Sequence, residues 1–228
     1  MDTWINTLEH YIADSLPHHE PFVTRSGLSE KVDQEGRFRE YPGNTVVFLL
    51  DERQQKFLGE LQKELYDRAG FALAQPLESS TFHMTAHDLS NINTVGGSLQ
   101  EAMSQTEKQA LGVVGKYRAY PPLCMDTTWL FNMVNTSVVL GLKPADESTA
   151  SQLAALYQEL EEIVPLGYPL TPHITMAYYK PGILEGQNLE TLRSALHPVS
   201  FRIVIPMENL TVQNFKHMNS YETVGILE

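Results

Sequence analysis

The sequence predicts an α+β protein built from two similar lobes, and three observations favour this fold class. The predicted elements run strand, helix, strand, helix in the first half, and strand pair, helix, strand, helix and late strands in the second. A pattern of histidine, apolar residue, threonine and apolar residue occurs in both halves. A doubly wound parallel sheet is disfavoured because no GxGxxG turn follows the first strand and no phosphate-binding GxxxxGKS or GxxxxGKT loop occurs.

The first 44 residues are interpreted as an N-terminal helix and an irregular extension. Thr3 to Ser15 is predicted to be helical because its large apolar residues share one face: Trp4, Ile5, Leu8, Tyr11 and Ile12. We expect this helix to pack on the body of the protein, with a lid over a site as the alternative. Pro17 to Asn44 is polar and marked by glycine and proline, which is typical of an irregular arm. Residues 45–228 are then expected to form a single bilobal domain.

The first lobe begins with TVVFLL, Thr45 to Leu50, which is predicted to be a short buried strand. Asp51 to Gly70 follows as an amphipathic helix that stops at a glycine. TFHMTAHDL, Thr81 to Leu89, alternates as a strand does, and Ser98 to Lys116 is predicted to be the second helix. Pro121 and its neighbour end this helical region.

The second lobe is predicted to open with two strands, Thr127 to Met133 and Thr136 to Leu142. Ala145 to Ile163 is predicted to be a helix, and its acidic first turn suits the helix dipole. TPHITMAYYKPG, which begins at Thr171, is a further strand ended by Pro-Gly. A short helix, LETLRSALHP, and two late stretches of strand, FRIVIPMENLTVQNF and SYETVGIL, complete the chain.

Composition limits the classes of partner. The formal net charge of −12 argues against docking along DNA or long RNA, because that affinity comes from lysine and arginine neutralising phosphates. A small phosphate ligand in a focused pocket remains compatible with this charge. The single cysteine, Cys124, provides no disulfide framework and favours a cytoplasmic location. Neither a signal peptide nor a membrane span is expected, because the N-terminus has no basic start and no run of 18 apolar residues occurs.

The recurring pattern is the most informative feature of the sequence. His83-Met84-Thr85-Ala86 in the first lobe matches His173-Ile174-Thr175-Met176 in the second, 90 residues later. Side chains alternate along a strand, so each histidine shares a face with its threonine while the apolar residues face the other way. If the lobes pack about a pseudo-twofold axis, the two histidine–threonine pairs face a common cleft.

Two facing imidazoles suit acid–base chemistry near neutral pH. The neutral ring takes a proton from an attacking hydroxyl or water, and the protonated ring gives a proton to the leaving oxygen. Threonine hydroxyls and imidazole N–H groups can hold the non-bridging oxygens of a phosphate. The pattern therefore predicts in-line hydrolysis of a phosphodiester without a metal or another cofactor.

Paired motifs of this kind in a duplicated α+β chain resemble the two-histidine phosphoesterase superfamily, which includes the LigT-like cyclic phosphodiesterases. The resemblance covers roughly Thr45 to Glu228. It implies a bilobal LigT-like fold with two antiparallel sheets flanking a central cleft and helices outside. It also implies His83 and His173 as catalytic residues, Thr85 and Thr175 as phosphate-binding residues, and a cyclic 2′,3′-type or 2′–5′ phosphodiester of a small nucleotide or RNA end as substrate.

Three further residues are candidate substrate contacts. His87 is predicted to share the face of His83, where it either contacts substrate or bonds to the backbone at the strand end. Tyr179 is predicted to share the face of His173, where it either stacks on a base or belongs to the core. Lys180 either attracts phosphate or is an ordinary surface residue. A metal site at His83 and His87 is disfavoured because histidines four apart on a strand are separated by about 13 Å.

Several alternatives stay open at this level. The chain could be a non-catalytic nucleotide-binding module of the same fold, a metal hydrolase, or a scaffold whose motifs arose by chance. The near-symmetry of the motifs does not reveal which histidine is the base and which the acid. The sequence also does not fix the path of the arm, so the positions of Arg37, Arg39 and Tyr41 relative to the cleft are undetermined. A monomer is expected.

Overall fold

The computed structural model describes residues 4–6, 8 and 15–225. Most of the helix predicted for Thr3 to Ser15 lies outside these residues. Within them, the strands are β1 (Phe22–Val23), β2 (Gly43–Leu49), β3 (His83–Asn91), β4 (Leu123–Met133), β5 (Ser137–Pro144), β6 (His173–Tyr178), β7 (Ile183–Leu184), β8 (Arg202–Ile205), β9 (Leu210–His217) and β10 (Ser220–Thr223). The α-helices are α1 (Glu52–Ala69), α2 (Leu99–Tyr117), α3 (Glu147–Glu161) and α4 (Gly186–Ala195).

The larger of two sheets contains eight strands in the order β10-β9-β2-β3-β6-β5-β4-β8 and curls into a half-barrel. The smaller sheet pairs β1 with β7. Every strand pairing in both sheets is antiparallel. The predicted α+β class with antiparallel sheets is therefore confirmed.

The eight-stranded sheet consists of two four-stranded halves that meet at β3 and β6. A single register pair, Met84 with Ile174, joins them. These two residues are the apolar members of the two motifs, and both are fully buried. The two motif strands therefore lie side by side at the centre of the sheet, which places their polar faces next to each other.

Matching β-bulges interrupt both motif strands. Val46 and Val47 are consecutive on β2 but pair with His87 and Thr85, which leaves Ala86 without an opposite residue. The same shift occurs on β5, where Val138 and Val139 pair with Ala177 and Thr175 and skip Met176. A bulge reverses the facing of every later residue on its strand. His87 and Ala177 consequently turn into the core, and Asp88 and Tyr178 turn away from it.

The helices begin where their sequences provide caps. Asp51 accepts a hydrogen bond from the backbone N–H of Gln54, and the Gln54 side chain accepts one from the backbone of Asp51, so α1 begins with a complete capping box. Ser98 caps α2, and Asp146 caps α3. No described helix combines the length and the apolar character that a membrane span requires.

Strand β4 begins at Leu123, four residues before the start predicted at Thr127. Its additional residues pair with β8, from Leu123 opposite Ile205 to Asp126 opposite Arg202. The prediction was wrong here because this early part of the strand is defined by a partner that lies about 80 residues later. Long-range pairing of this kind leaves no signal in local periodicity.

Side chains pack closely against Gly141 on β5, the strand next to the second motif. Gly141 pairs with His173 on the neighbouring strand. A Cβ at this position would lie 2.6 Å from Thr128 Oγ1 and 2.9 Å from side-chain atoms of Leu8 and Phe131. The packing on this side of β5 therefore has no room for a larger residue.

Gly141→Ala is expected to lower the free energy of unfolding by about 1–3 kcal/mol, because overpacking forces neighbouring side chains to move. Gly115→Ala is the matched control, since Gly115 lies in α2 with no atom within 4 Å of its would-be Cβ. This control is expected to stabilise the protein by about 0.5–1 kcal/mol. Urea titration of both variants measures the difference, and equal midpoints would contradict the packing argument.

Candidate active site

The cleft between the two halves of the sheet contains a cavity of about 200 Å³, which we call the histidine cavity. Residues of both motifs line it: His83 and Thr85 from β3, and His173 and Thr175 from β6. The antiparallel pairing of β3 with β6 brings these four side chains together although they lie 90 residues apart in sequence. Strands β2, β4, β5, β9 and β10 and the N-terminal arm also contribute to its walls.

Both imidazoles are held in the same way. Nδ1 of His83 lies 2.7 Å from the carbonyl oxygen of Thr81, and Nδ1 of His173 lies 2.6 Å from that of Thr171. A carbonyl oxygen only accepts hydrogen bonds, so Nδ1 carries the proton in both rings. Nε2 of each neutral ring is therefore the basic nitrogen, and it is the atom left for chemistry in the cavity.

Burial lowers the pKa of both histidines. Desolvation lowers the pKa of His83 to about 4, and the neighbouring His173 adds to the decrease, while the Thr81 carbonyl and the charge of Asp88 oppose it. Desolvation also lowers the pKa of His173, opposed by the Thr171 carbonyl and by Asp88. Both rings are therefore mainly neutral near pH 7. A phosphate anion between them would favour the protonated form of either ring.

The remaining walls supply hydrogen-bond donors and an aromatic ring. The Thr85 and Thr175 hydroxyls line the cavity and take part in none of the hydrogen bonds among the described residues. The ring of Tyr221 meets His83 edge to face, with 5.0 Å between the ring centroids. The cavity therefore has an aromatic ring beside His83 and offers two hydroxyls to an anion.

Comparison with known proteins identifies the fold. No family model matches the chain, and no curated protein matches its sequence. A conserved protein of unknown function from Agrobacterium tumefaciens matches with a TM-score of 0.63 at 20% identity, covering 96% of this chain and 97% of that protein. Apo LigT from Escherichia coli matches with a TM-score of 0.51 at 14% identity, covering 82% and 96%. The chain has the LigT-like fold.

A protein from Thermus thermophilus matches with a TM-score of 0.51 at 16% identity, over 80% of this chain and 95% of that protein. This match and the match to LigT leave about a fifth of the present chain uncovered, although they span nearly all of the other proteins. The chain therefore adds residues to the LigT-like fold, and the Agrobacterium protein is similar to it over nearly its full length.

One segment of the N-terminal extension reaches the histidine cavity and supplies a cation. Lys31 lines the cavity, with Nζ 4.7 Å from the centroid of the Tyr41 ring. Its backbone is fixed on both sides, since its N–H donates to the Leu28 carbonyl and its carbonyl accepts from Arg39. Burial lowers the pKa of Lys31, and the charges of Asp88 and Glu30 oppose this effect. Sequence patterns gave no signal for Lys31, because its position depends on the path of the arm.

Three other arm residues, Arg37, Arg39 and Tyr41, do not line the histidine cavity. Arg37 is exposed and forms an ion pair with Asp33 at 2.8 Å. Arg39 donates to the backbone carbonyl of Ser29. Tyr41 is buried beneath the Lys31 ammonium and is not among the residues that line the cavity. The arm therefore contributes to the histidine cavity through Lys31.

His87 does not share the face of His83, so the predicted facing is wrong. The bulge at Ala86 turns it into the core, where it is 1% exposed. Nε2 lies 3.1 Å from a carboxylate oxygen of Glu161, and Nδ1 lies 2.6 Å from the Asp88 carbonyl. Asp88 takes the place predicted for His87 and lines the histidine cavity.

The same reversal corrects the prediction for Tyr179. The bulge at Met176 buries Tyr179 completely against Phe22, with 5.0 Å between ring centroids, and presents Tyr178 to the cavity instead. Tyr179 is therefore the core residue of the two possibilities. Lys180 also lies outside the cavity and packs beside Gly36 of the arm. Alternation predicts facing only as far as the bulge, so it misplaces Tyr179 as it misplaces His87.

The described residues contain no group of three or more histidine, cysteine, aspartate or glutamate side chains with metal-ligand geometry. Asp88 is the acidic residue that lines the histidine cavity. The arrangement combines two basic nitrogens, two hydroxyls, one ammonium and one carboxylate. Such a set can bind an anion and move protons on either side of it.

Proposed function

We propose that this protein is a metal-independent phosphodiesterase that hydrolyses a cyclic 2′,3′-type or 2′–5′ phosphodiester of a small nucleotide or RNA end. One observation carries the proposal: two imidazoles with the same protonated nitrogen, each accompanied by a threonine hydroxyl, line one small cavity. This arrangement supports proton transfer at both ends of an in-line displacement at phosphorus. The LigT-like fold is compatible with this chemistry.

In the proposed reaction the scissile phosphate lies between His83 and His173. One imidazole accepts the proton of the attacking water at Nε2, and the other donates its Nε2 proton to the leaving oxygen. The hydroxyls of Thr85 and Thr175 donate to the non-bridging oxygens, where negative charge increases in the transition state. The hydrogen bonds from Nδ1 to backbone carbonyls keep both rings oriented for these transfers.

Cavity size and charge support a small anionic substrate. A volume of about 200 Å³ lies below the usual 300–1,000 Å³ of sites that enclose a drug-sized molecule. It accommodates a phosphate and the atoms next to it, and the rest of a nucleotide must extend outward. Lys31 provides the local positive charge that the overall charge of −12 lacks.

Turnover of 2′,3′-cyclic nucleotides in the presence of EDTA tests the proposal. The parent protein is expected to form a nucleoside monophosphate, and His83→Ala and His173→Ala are expected to be strongly impaired. His19→Ala is a matched control, because His19 is exposed and outside the cavity. Equal rates for the parent and both cavity variants would refute the mechanism, and activity that disappears with EDTA and returns with zinc would favour a metal hydrolase.

A nucleotide-binding module without turnover is the second candidate function. The lowered pKa of both histidines favours it, because two neutral imidazoles provide a base but no acid. Calorimetry with a cyclic nucleotide, combined with product analysis after long incubation, separates the two functions. Binding without product supports the module, and product formation at a catalytic rate rules it out.

Lys31→Met is expected to raise KM for a cyclic nucleotide by about 10- to 100-fold, with a smaller effect on kcat, because a hydrogen bond to a charged group contributes about 1.5–3 kcal/mol. Lys180→Met is the control, since Lys180 lies near the arm but outside the cavity. Steady-state kinetics of both variants provide the measurement. An unchanged KM for Lys31→Met would show that this ammonium does not contact the substrate.

A further inference from the structure

The ammonium group of Lys31 rests on an aromatic ring at the histidine cavity. Lys31 lines this cavity, and its Nζ takes part in none of the hydrogen bonds or ion pairs among the described residues. Its contact is with Tyr41, since Nζ lies 4.7 Å from the centroid of the Tyr41 ring. A cation at this distance is attracted by the negative face of the ring. The N–H donors of the ammonium therefore stay available for a ligand.

The Tyr41 ring is fixed by three contacts. Its hydroxyl donates a hydrogen bond of 3.1 Å to Oδ1 of Asn91. Its backbone N–H donates one of 2.7 Å to the carbonyl of Lys216. The ring stacks on Phe215, with 6.4 Å between the centroids and 7° between the ring planes. Contacts at the hydroxyl, the backbone and the ring leave this buried side chain little freedom to move.

The groups that fix Tyr41 belong to the strands that build the histidine cavity. Asn91 is the last residue of β3, the strand that carries His83 and Thr85. Phe215 belongs to β9 and itself lines the cavity. The position of the Tyr41 ring is therefore fixed relative to the reactive groups, although the ring belongs to the arm.

A lysine needs support of this kind to act on a ligand of fixed position. Its flexible four-carbon stem has high conformational freedom, and ordering that stem when a ligand binds costs affinity. The adjacent carboxylate does not provide the support, because the Glu30 side chain accepts a hydrogen bond from the Asn93 amide instead. The Tyr41 ring is therefore the contact that orders the end of the Lys31 side chain before a ligand arrives.

We propose that Tyr41 is a positioning residue whose ring holds the Lys31 ammonium at the histidine cavity, ready to bind the phosphate group of the ligand. This role rests on the proposed function, which supplies a phosphodiester as the ligand. A carboxylate could also hold the ammonium, but it would neutralise the charge that an anionic ligand needs. A neutral ring holds the cation and leaves its charge uncompensated. Desolvation raises the pKa of Tyr41, so its hydroxyl stays neutral.

A second lysine–tyrosine pair in the chain provides a matched control. Nζ of Lys116 lies 5.3 Å from the centroid of the Tyr117 ring on α2, and Tyr117 is also buried. There the ammonium forms an ion pair with Glu159, and neither member of the pair lines the histidine cavity. Tyr117→Leu therefore removes a buried ring from beneath a lysine without changing the cavity.

Ring fluorination tests the contact while the size of the side chain stays nearly constant. Phenylalanine and its analogues with one, two or three ring fluorines replace Tyr41, because each fluorine withdraws electron density from the ring face. Tyr41→Phe is expected to keep KM for a cyclic nucleotide within about threefold of the parent value. KM is then expected to rise with each fluorine, by about 2- to 30-fold over the series, which corresponds to the range of cation–π energies. The same series is expected to be flat in Lys31→Met.

Leucine variants separate positioning from a general loss of stability. Tyr41→Leu is expected to raise KM as much as the complete fluorine series, with a smaller change in kcat, and to have no further effect on KM in Lys31→Met. Tyr117→Leu is expected to lower the midpoint of a urea titration and to leave KM unchanged. A flat fluorine series in the parent protein, or equal KM changes in Tyr41→Leu and Tyr117→Leu, would overturn the positioning role.

Calorimetric binding of inorganic phosphate distinguishes failure of this role from failure of the proposed function. The Kd for phosphate is expected to rise along the fluorine series as KM does. If phosphate binding shows this dependence but no phosphodiester is hydrolysed, Tyr41 keeps its positioning role and the proposed function fails. Turnover and phosphate binding that do not depend on fluorination would overturn the positioning role alone. A parent protein that neither hydrolyses a phosphodiester nor binds phosphate would overturn both.

Discussion

His83→Ala is expected to lower kcat for a cyclic phosphodiester by about 10²–10⁴-fold, because it removes one of the two groups that transfer protons during the reaction. His83 lines the histidine cavity, with Nδ1 bonded to the Thr81 carbonyl and Nε2 left for the reaction. The expected effect on KM is smaller, since the threonine hydroxyls and Lys31 remain. Single-turnover measurements separate the loss of chemistry from any change in binding.

Two further measurements distinguish a chemical role of His83 from a structural one. Added imidazole is expected to restore part of the activity of His83→Ala, and it is not expected to affect the Thr85→Val variant. The double variant His83→Ala/His173→Ala is expected to lose less than the product of the single losses, because residues that act together are not additive. The proposed role is ruled out if His83→Ala unfolds at the same temperature as the parent, reacts at the same rate and gains nothing from added imidazole.

The second large effect concerns pH. We expect kcat/KM to be highest at acidic pH and to decrease about tenfold per pH unit on the alkaline side. This parameter reports the free enzyme. Desolvation lowers the pKa of His83 to about 4 and also lowers the pKa of His173. One ring must be protonated and the other neutral, so the maximum is expected between about 4 and the ordinary histidine pKa of about 6.5.

The direction in which the pH profile moves depends on where the catalytic acid loses its proton. A lowered pKa means that the acid loses its proton at a lower pH than an ordinary histidine, so the alkaline limb moves to lower pH. The profile of kcat is expected to extend to higher pH than that of kcat/KM, because a bound phosphate anion stabilises imidazolium. Initial rates between pH 4 and pH 8 measure both profiles. A kcat/KM profile that is flat from pH 5 to pH 8 would contradict this expectation.

Asp88 provides a matched test of the pH profile. Its charge raises the pKa of both His83 and His173. Asp88→Asn is therefore expected to shift the alkaline limb of kcat/KM to still lower pH. Asp126→Asn is the control, because Asp126 forms an ion pair with Arg202 and does not line the histidine cavity. An equal shift in both variants would indicate a general effect of net charge.

The α+β class and the duplication follow from local patterns in the chain. Strand alternation and helix periodicity depend on neighbouring residues, so the elements around both motifs are readable without tertiary information. Recurrence of the motif indicated that the two half-sites belong together. The structure brings His83, Thr85, His173 and Thr175 into one cavity, as the alternation of both strands predicted.

The errors begin at one position in each motif. Alternation predicts the facing of residues only as long as every residue has an opposite partner. Ala86 and Met176 have none, because β2 and β5 skip them, and nothing in the two motifs marks a bulge. His87 and Tyr179 were therefore expected at the cleft, where Asp88 and Tyr178 lie. A bulge depends on the register between strands, which is a property of the pair.

Contacts between distant segments decide the remaining features of the site. The two motifs are alike in sequence, but their surroundings differ, because a separate cavity of about 500 Å³ borders His173 and not His83, and the Tyr221 ring contacts His83. Lys31 reaches the cavity because the arm folds across it. Local chemistry thus specifies which groups can react, since residue type and strand period are encoded in short segments. Packing of segments far apart in sequence specifies which of them face each other, and so gives two similar half-sites different surroundings.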